Sequence, residues 1–144
     1  MTRTKLDIST IDIPENITNL LLSLSRKNTE KRKKAHNTLL NYKRTALPFL
    51  IKSLSSKNKN LRWEAAKIIS EFAFEETIPE LIGLLNDEHT DIRWIAADGL
   101  IKIGRNSLVP LLKQLNINRD QIFLNAGAHK VLTELLNGEE KKEI

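Results

Sequence analysis

The sequence predicts an all-α solenoid of about four helical hairpins, and three observations lead there. First, a block of thirty-one residues repeats: Leu61-Arg62-Trp63-Glu64-Ala65-Ala66 returns as Ile92-Arg93-Trp94-Ile95-Ala96-Ala97. Second, Leu47-Pro48-Phe49-Leu50 returns as Ile78-Pro79-Glu80-Leu81 and again as Val109-Pro110-Leu111-Leu112. Third, apolar residues inside each block recur at three- and four-residue steps, as in Ile78, Leu81, Ile82 and Leu85, which is the period of one helix face. A unit this short cannot bury its own apolar stripe. Successive units must stack, and matching positions then form rows along the stack.

The elements follow in order. Helices are predicted near 14–26, 29–43, 45–55, 59–73, 77–86, 90–103, 106–116 and 119–136. Pro48, Pro79 and Pro110 fall in the first turn of the first helix of a unit, where a missing N–H leaves no helical bond unmade. Thr45, Thr77, Thr90 and Ser107 or Asn106 are placed as N-caps, Gly104 as a C-cap, and Asn118 with Gln121 has the form of a capping box. The units are 14–44, 45–75, 76–105 and 106–137, after an extension over 1–13 and before a charged, frayed tail over 138–144. In the divergent first unit, Ala35, Leu39 and Tyr42 match Ala65, Ile69 and Phe72 at a spacing of 30. The last unit keeps Phe123, Gly127, Ala128 and Val131 but has Leu124-Asn125 where the others have Arg-Trp.

Composition narrows the function classes. The chain has 144 residues and no cysteine, which removes disulfides, thiolate metal sites and thiol nucleophiles. Met1 to Ser9 has no apolar core of a signal peptide, and no stretch reaches the roughly 20 apolar residues of a membrane span. A soluble, cytoplasmic protein is the expectation. The net charge of +5 is unevenly distributed: residues 26–62 hold twelve Lys or Arg and one acid, while residues 63–144 hold nine bases and fourteen acids. Such a basic block favours an acidic partner, which for this composition is protein or nucleic acid.

At 100° per residue the second helices sort their faces. Leu61, Ala65, Ile68, Ile69 and Phe72 form the seam against the partner helix, and Ala66, Ala97 and Ala128 lie on a flank where a small side chain admits the next unit. Opposite the seam come Trp63, Lys67 and Ser70, then Trp94, Asp98 and Ile101, then Asn125, His129 and Leu132, with Lys33, Asn37 and Leu40 in the first unit. Arg62 and Arg93 sit between seam and outer face, where a bridge to an acid or carbonyl of the next unit, such as Asp91, is expected. Lys31-Arg32-Lys33-Lys34 opens a helix against its dipole, so helix stability does not account for it. His36 replaces the flank alanine and reads as a packed, satisfied histidine.

The run from Asp91 to Gly104, DIRWIAADGLIKIG, resembles the second helix of the short HEAT-like repeats first noted in phycobilisome lyases, whose pattern is D-x-V-R-x-x-A-A-x-A-L-G-x-I-G. Asn60 to Ala73 resembles it too, and the likeness covers residues 14–136. It implies a right-handed α-solenoid whose second helices line a concave face. That face would carry Lys33, Trp63, Trp94 and Asn125 in one row, Lys67 and His129 in the next, and Leu40, Ile101 and Leu132 beside them. Trp63 and Trp94 are then neighbours, because adjacent helices pack about 8–10 Å apart.

Catalytic patterns are missing. The sequence has no phosphate loop, no G-x-G-x-x-G, no H-E-x-x-H and no nucleophile elbow. The His-Glu pairs of iron-binding HEAT-like hydroxylases are also absent, so no cofactor or metal is expected. The leading reading is a non-enzymatic protein-binding scaffold, adaptor or dedicated inhibitor. Its contact residues are Lys33, Leu40, Trp63, Lys67, Trp94, Ile101 and His129, and its basic patch is Lys31, Arg32, Lys34 and Arg62. The alternative is a nucleic-acid-binding protein using the basic block, as HEAT-like alkyl-base DNA glycosylases do.

Overall fold

The structure, a computed structural model, describes residues 16–118 and 120–143, with side chains as far as Gly138. The extension expected over 1–13 lies outside the described residues. Among those described, all regular structure is helical. Helix α1 covers 16–25, and α2 is Thr29–Tyr42, α3 Leu47–Ser53, α4 Lys59–Phe72, α5 Ile78–Leu84, α6 Thr90–Ile103, α7 Leu108–Ile117 and α8 Ile122–Glu143. They form the hairpins α1–α2, α3–α4, α5–α6 and α7–α8. The chain divides into two compact units, Met1–Ile68 and Ile69–Ile144. In the first, Ile17, Leu24, Leu39, Leu50, Ala65 and Ile68 are fully buried. In the second, α5 packs on α6 and α7, and α8 packs on α6 and α7. Leu81, Leu85, Ile92, Leu100, Leu111 and Val131 fill that interior.

The flank alanines behave as small spacers: Ala66, Ala97 and Ala128 are at most 1% exposed. Two glycines have the same use. A Cβ on Gly99 would lie 2.6 Å from Ser70 Oγ and 3.1 Å from Leu81 Cδ1, and one on Gly127 would lie 2.9 Å from Leu85 Cδ2. Ser70, expected to face outward, is buried, and its hydroxyl donates to the carbonyl of Ile95 at 3.1 Å. At the point where Gly99 lets the backbones close in, a Ser side chain has no route to solvent and bonds across the contact.

Each second helix in the first three hairpins ends on a residue with positive φ: Lys43 (50°), Ala73 (53°) and Gly104 (94°). A 3-10 turn begins at Lys43 and follows Ala73 and Gly104, over Lys43–Thr45, Glu75–Thr77 and Arg105–Ser107. These turns take over the capping expected of the hydroxyl side chains. Thr77 and Ser107 are fully buried and make no cap bond; they donate instead to the carbonyls of Phe74 (2.7 Å) and Leu100 (2.9 Å), as a buried hydroxyl must find a partner. Ala46, not Thr45, occupies the N-cap of α3. The effective caps are Asn28 and Asn58, whose Oδ1 atoms accept from the N–H of Lys31 and Leu61, each at 3.1 Å. Thr90 is the first helical residue, not the cap. The Asn118–Gln121 box does not form, because Asn118 ends α7 and turns its amide back onto Gln114 Oε1 at 3.0 Å.

The third junction also shifts the register. Phe74 separates Ala73 from its 3-10 turn, whereas Gly104 runs straight into the turn at Arg105. Helix α7 therefore starts one residue earlier than the sequence repeat indicates. Leu111, not Leu112, takes the fully buried place of Leu50 and Leu81, and Leu112 is 51% exposed. Phe123, expected in the core, is likewise exposed while Leu124 turns inward. Helix α8 continues past Gly138 to Glu143, beyond the end the sequence indicated.

A side chain in the left-handed region costs about 1–2 kcal/mol relative to glycine. Ala73→Gly and Lys43→Gly are each expected to stabilise the protein by about 1 kcal/mol after the added freedom of the unfolded chain is subtracted. Lys43, at φ 50° and ψ −123°, is the more strained. Urea unfolding midpoints check this; unchanged or lowered midpoints count against the strain.

Candidate functional site

The repeated arginine is a latch. Arg32 Nη1 donates to the carbonyl of Arg26 at 3.0 Å, Arg62 Nη1 to that of Ser56 at 2.9 Å, and Arg93 Nη1 to that of Asp87 at 2.7 Å. Each reaches back six residues to the turn before its own helix. A planar guanidinium on a long stem spans that distance and satisfies carbonyls that the turn leaves without a helical partner. The basic patch is corrected accordingly. Arg62 is only 7% exposed, and Arg32 is half-buried with Nε 3.9 Å from Glu64 Oε1. Lys31, Lys33 and Lys34 remain exposed. Glu64 also meets His36, Oε2 to Nδ1 at 3.0 Å, so His36 is packed and partnered.

Both indoles carry a lysine. In the Met1–Ile68 unit, Trp63 is half-buried with Lys67 Nζ 4.9 Å from its ring centroid; Lys33 is exposed and Leu40 half-buried. In the Ile69–Ile144 unit, Trp94 is 51% exposed, and Lys130 Nζ stands 3.9 Å from its centroid while pairing with Asp98 at 3.0 Å. Asp98 fills the place that Lys67 holds one repeat earlier, so here the cation over the indole comes from α8. A cleft of about 140 Å³ opens beside Trp94 between α6 and α8, floored by Ala97, Ala126 and Gly127 and walled by Arg93 and Phe123. The Arg93 guanidinium lies 4.0 Å over the Phe123 ring, which fixes that wall. Ile101 is half-buried and His129 exposed, and neither lines this cleft. The arrangement offers an apolar slot with a rigid aromatic lip. It suits uptake of a side chain rather than bond-making chemistry.

A larger cavity, of about 560 Å³, was not foreseen. It lies between the first helices α5 and α7 and the start of α8. Its signal in the sequence is Gly83, one residue before the end of α5. Among the described residues, no three His, Asp or Glu side chains gather as a metal site requires, and no helix is long and apolar enough to cross a membrane.

No curated protein matches the chain. The family pattern described as HEAT repeats matches residues 47–132. That stretch runs from the start of α3 into α8 and contains the two Arg-Trp helices, the proline-led first helices and the glycine-spaced contacts. With more than half its length matched and helical hairpins throughout, the chain belongs to the HEAT-repeat family and is an all-α solenoid.

Proposed function

We propose that the chain is a non-enzymatic protein-binding module that docks a partner on its second-helix face around Trp94. HEAT repeats commonly serve as interaction scaffolds, and the observation that carries the reading here is the half-exposed indole. It is held by Lys130 and sits at the lip of an apolar cleft. A large aromatic side chain fixed in place before binding loses little entropy on docking, which is why such residues dominate interface energies. Lys33, Leu40, Trp63, Lys67, Ile101 and His129 are proposed as further contacts, and Lys31, Lys33 and Lys34 as the charges that steer an acidic protein surface. An adaptor and a dedicated inhibitor of one target both fit.

Trp94→Ala, alone or with Trp63→Ala, is expected to leave helicity and melting nearly unchanged. It should weaken binding of the purified partner, identified by enrichment from nuclease-treated extract, by at least about thirtyfold, the size of a hot-spot loss. A large fall in melting temperature for Trp94→Ala, or full binding by the folded variant, overturns the reading. The nucleic-acid alternative loses Arg32 and Arg62 to the latches. It requires binding that survives in nuclease-free samples and falls steeply with salt.

A further inference from the structure

Glycine inside a helix is destabilising by about 0.8–1 kcal/mol relative to alanine, and a sequence keeps one there when backbone or packing demands it. Gly99 and Gly127 meet that demand through close contacts. Gly83 does not. It stands in the last turn of α5, one residue before the helix ends, without the positive φ of a glycine stop, and a Cβ built on it meets nothing within 4 Å. What the missing side chain provides is an opening, because Gly83 lies on the wall of the cavity between α5 and α7.

Two facing stripes build that cavity. Pro79, Ile82 and Gly83 on α5, with Asn86 just beyond its end, follow a three- and four-residue step along one face. Pro110, Lys113, Gln114 and Asn118 do the same on α7 and at its end. Gln121 closes one end and the buried Leu124 lies beneath. The floor is apolar. Among the described residues, the rim carries four carboxamides, each with donors and an acceptor, and Lys113 is the one charged side chain in the lining. Among the described residues, no side-chain hydrogen bond engages Asn86, Lys113 or Gln121. The face from Pro110 to Asn118 is about 12 Å long at the helical rise, which matches about four residues of extended chain.

We infer that this groove binds a short extended peptide bearing a carboxylate, at a site separate from Trp94. Peptide N–H and C=O groups of an extended segment lack partners of their own, and carboxamides supply both kinds. Aliphatic side chains rest on Ile82, Val109 and Leu124, the backbone passes over bare Gly83, and the carboxylate pairs with Lys113. Among the described residues, the lining has no acidic side chain to repel it.

The test uses the full chain, labelled with nitrogen-15. It is titrated with a random library of N-acetyl tetrapeptides carrying free C-terminal carboxylates, with the same library as C-terminal amides, and with a ten-residue oligothymidylate. The expected result is amide shifts at Gly83, Asn86, Lys113, Gln114 and Asn118 with the acid library. They should be weaker with the amide library and absent with the oligonucleotide. Gly83→Phe puts a Cβ where nothing lies within 4 Å and a ring into the opening, so it should stay folded and lose the response. Lys113→Gln should weaken binding of the best single peptide by about tenfold, the scale of one charge-assisted hydrogen bond. Gly83→Ala should stay folded with a weakened response, and Trp94→Ala, the site control, should respond like wild type. No shifts with either library, an unchanged response in folded Gly83→Phe, loss of the response in folded Trp94→Ala, or shifts from the oligonucleotide alone overturns the inference.

Discussion

Gly99→Val is expected to lower the unfolding free energy by about 3–4 kcal/mol, whereas Gly83→Val changes it by less than about 1 kcal/mol. The Cβ alone would sit 2.6 Å from Ser70 Oγ and 2.9 Å from Ser70 Cβ, and neither atom can retreat cheaply. Ser70 is hydrogen-bonded to Ile95 O and Leu81 is fully buried. Overpacking of this kind costs about 1–3 kcal/mol or more. Forcing Ser70 off its carbonyl leaves a buried acceptor unmet, which adds about 1 kcal/mol. At Gly83 the new side chain meets open space and gains helix propensity, so the same substitution is close to neutral. Paired urea titrations decide the matter; a wild-type midpoint for Gly99→Val means that α6 does not approach Ser70 and Leu81 this closely.

Arg62→Ala is expected to be destabilising by about 3 kcal/mol. The guanidinium bonds to Ser56 O are charge-assisted, worth about 1.5–3 kcal/mol, and the buried stem adds packing that alanine does not replace. Arg62→Lys should recover little, because an ammonium does not reproduce the planar fork. Alanine at exposed Lys31, Lys33 or Lys34 should shift stability by less than about 0.5 kcal/mol each. If Arg62→Ala melts like wild type and instead weakens partner binding, the latch is not what holds this residue.

Helix positions were legible because periodicity and first-turn prolines are local signals. The small-residue row Ala66, Ala97 and Ala128 was legible too, since its period matches the repeat. The 3-10 turns were not, because a Thr or Ser before a proline-led helix reads as a cap whether it faces solvent or interior. Nor was the shift that buries Leu111 in place of Leu112. One residue fewer between Gly104 and its turn decides it, and the repeated tripeptide around Pro110 points the other way. Of the candidate contacts, exposed Trp94, Lys67 and His129 followed from the helical wheel. Arg32 and Arg62 were misplaced because a wheel records the direction of Cβ and not where a long side chain ends. The cavity at Gly83 escaped notice because a glycine that meets nothing differs from one that is crowded only in three dimensions.

Each of the three arginines bonds the turn six residues before it, inside its own hairpin. No hairpin borrows this bond from a neighbour. A segment of one repeat length that is copied or spliced elsewhere therefore takes the lock on its own turn with it.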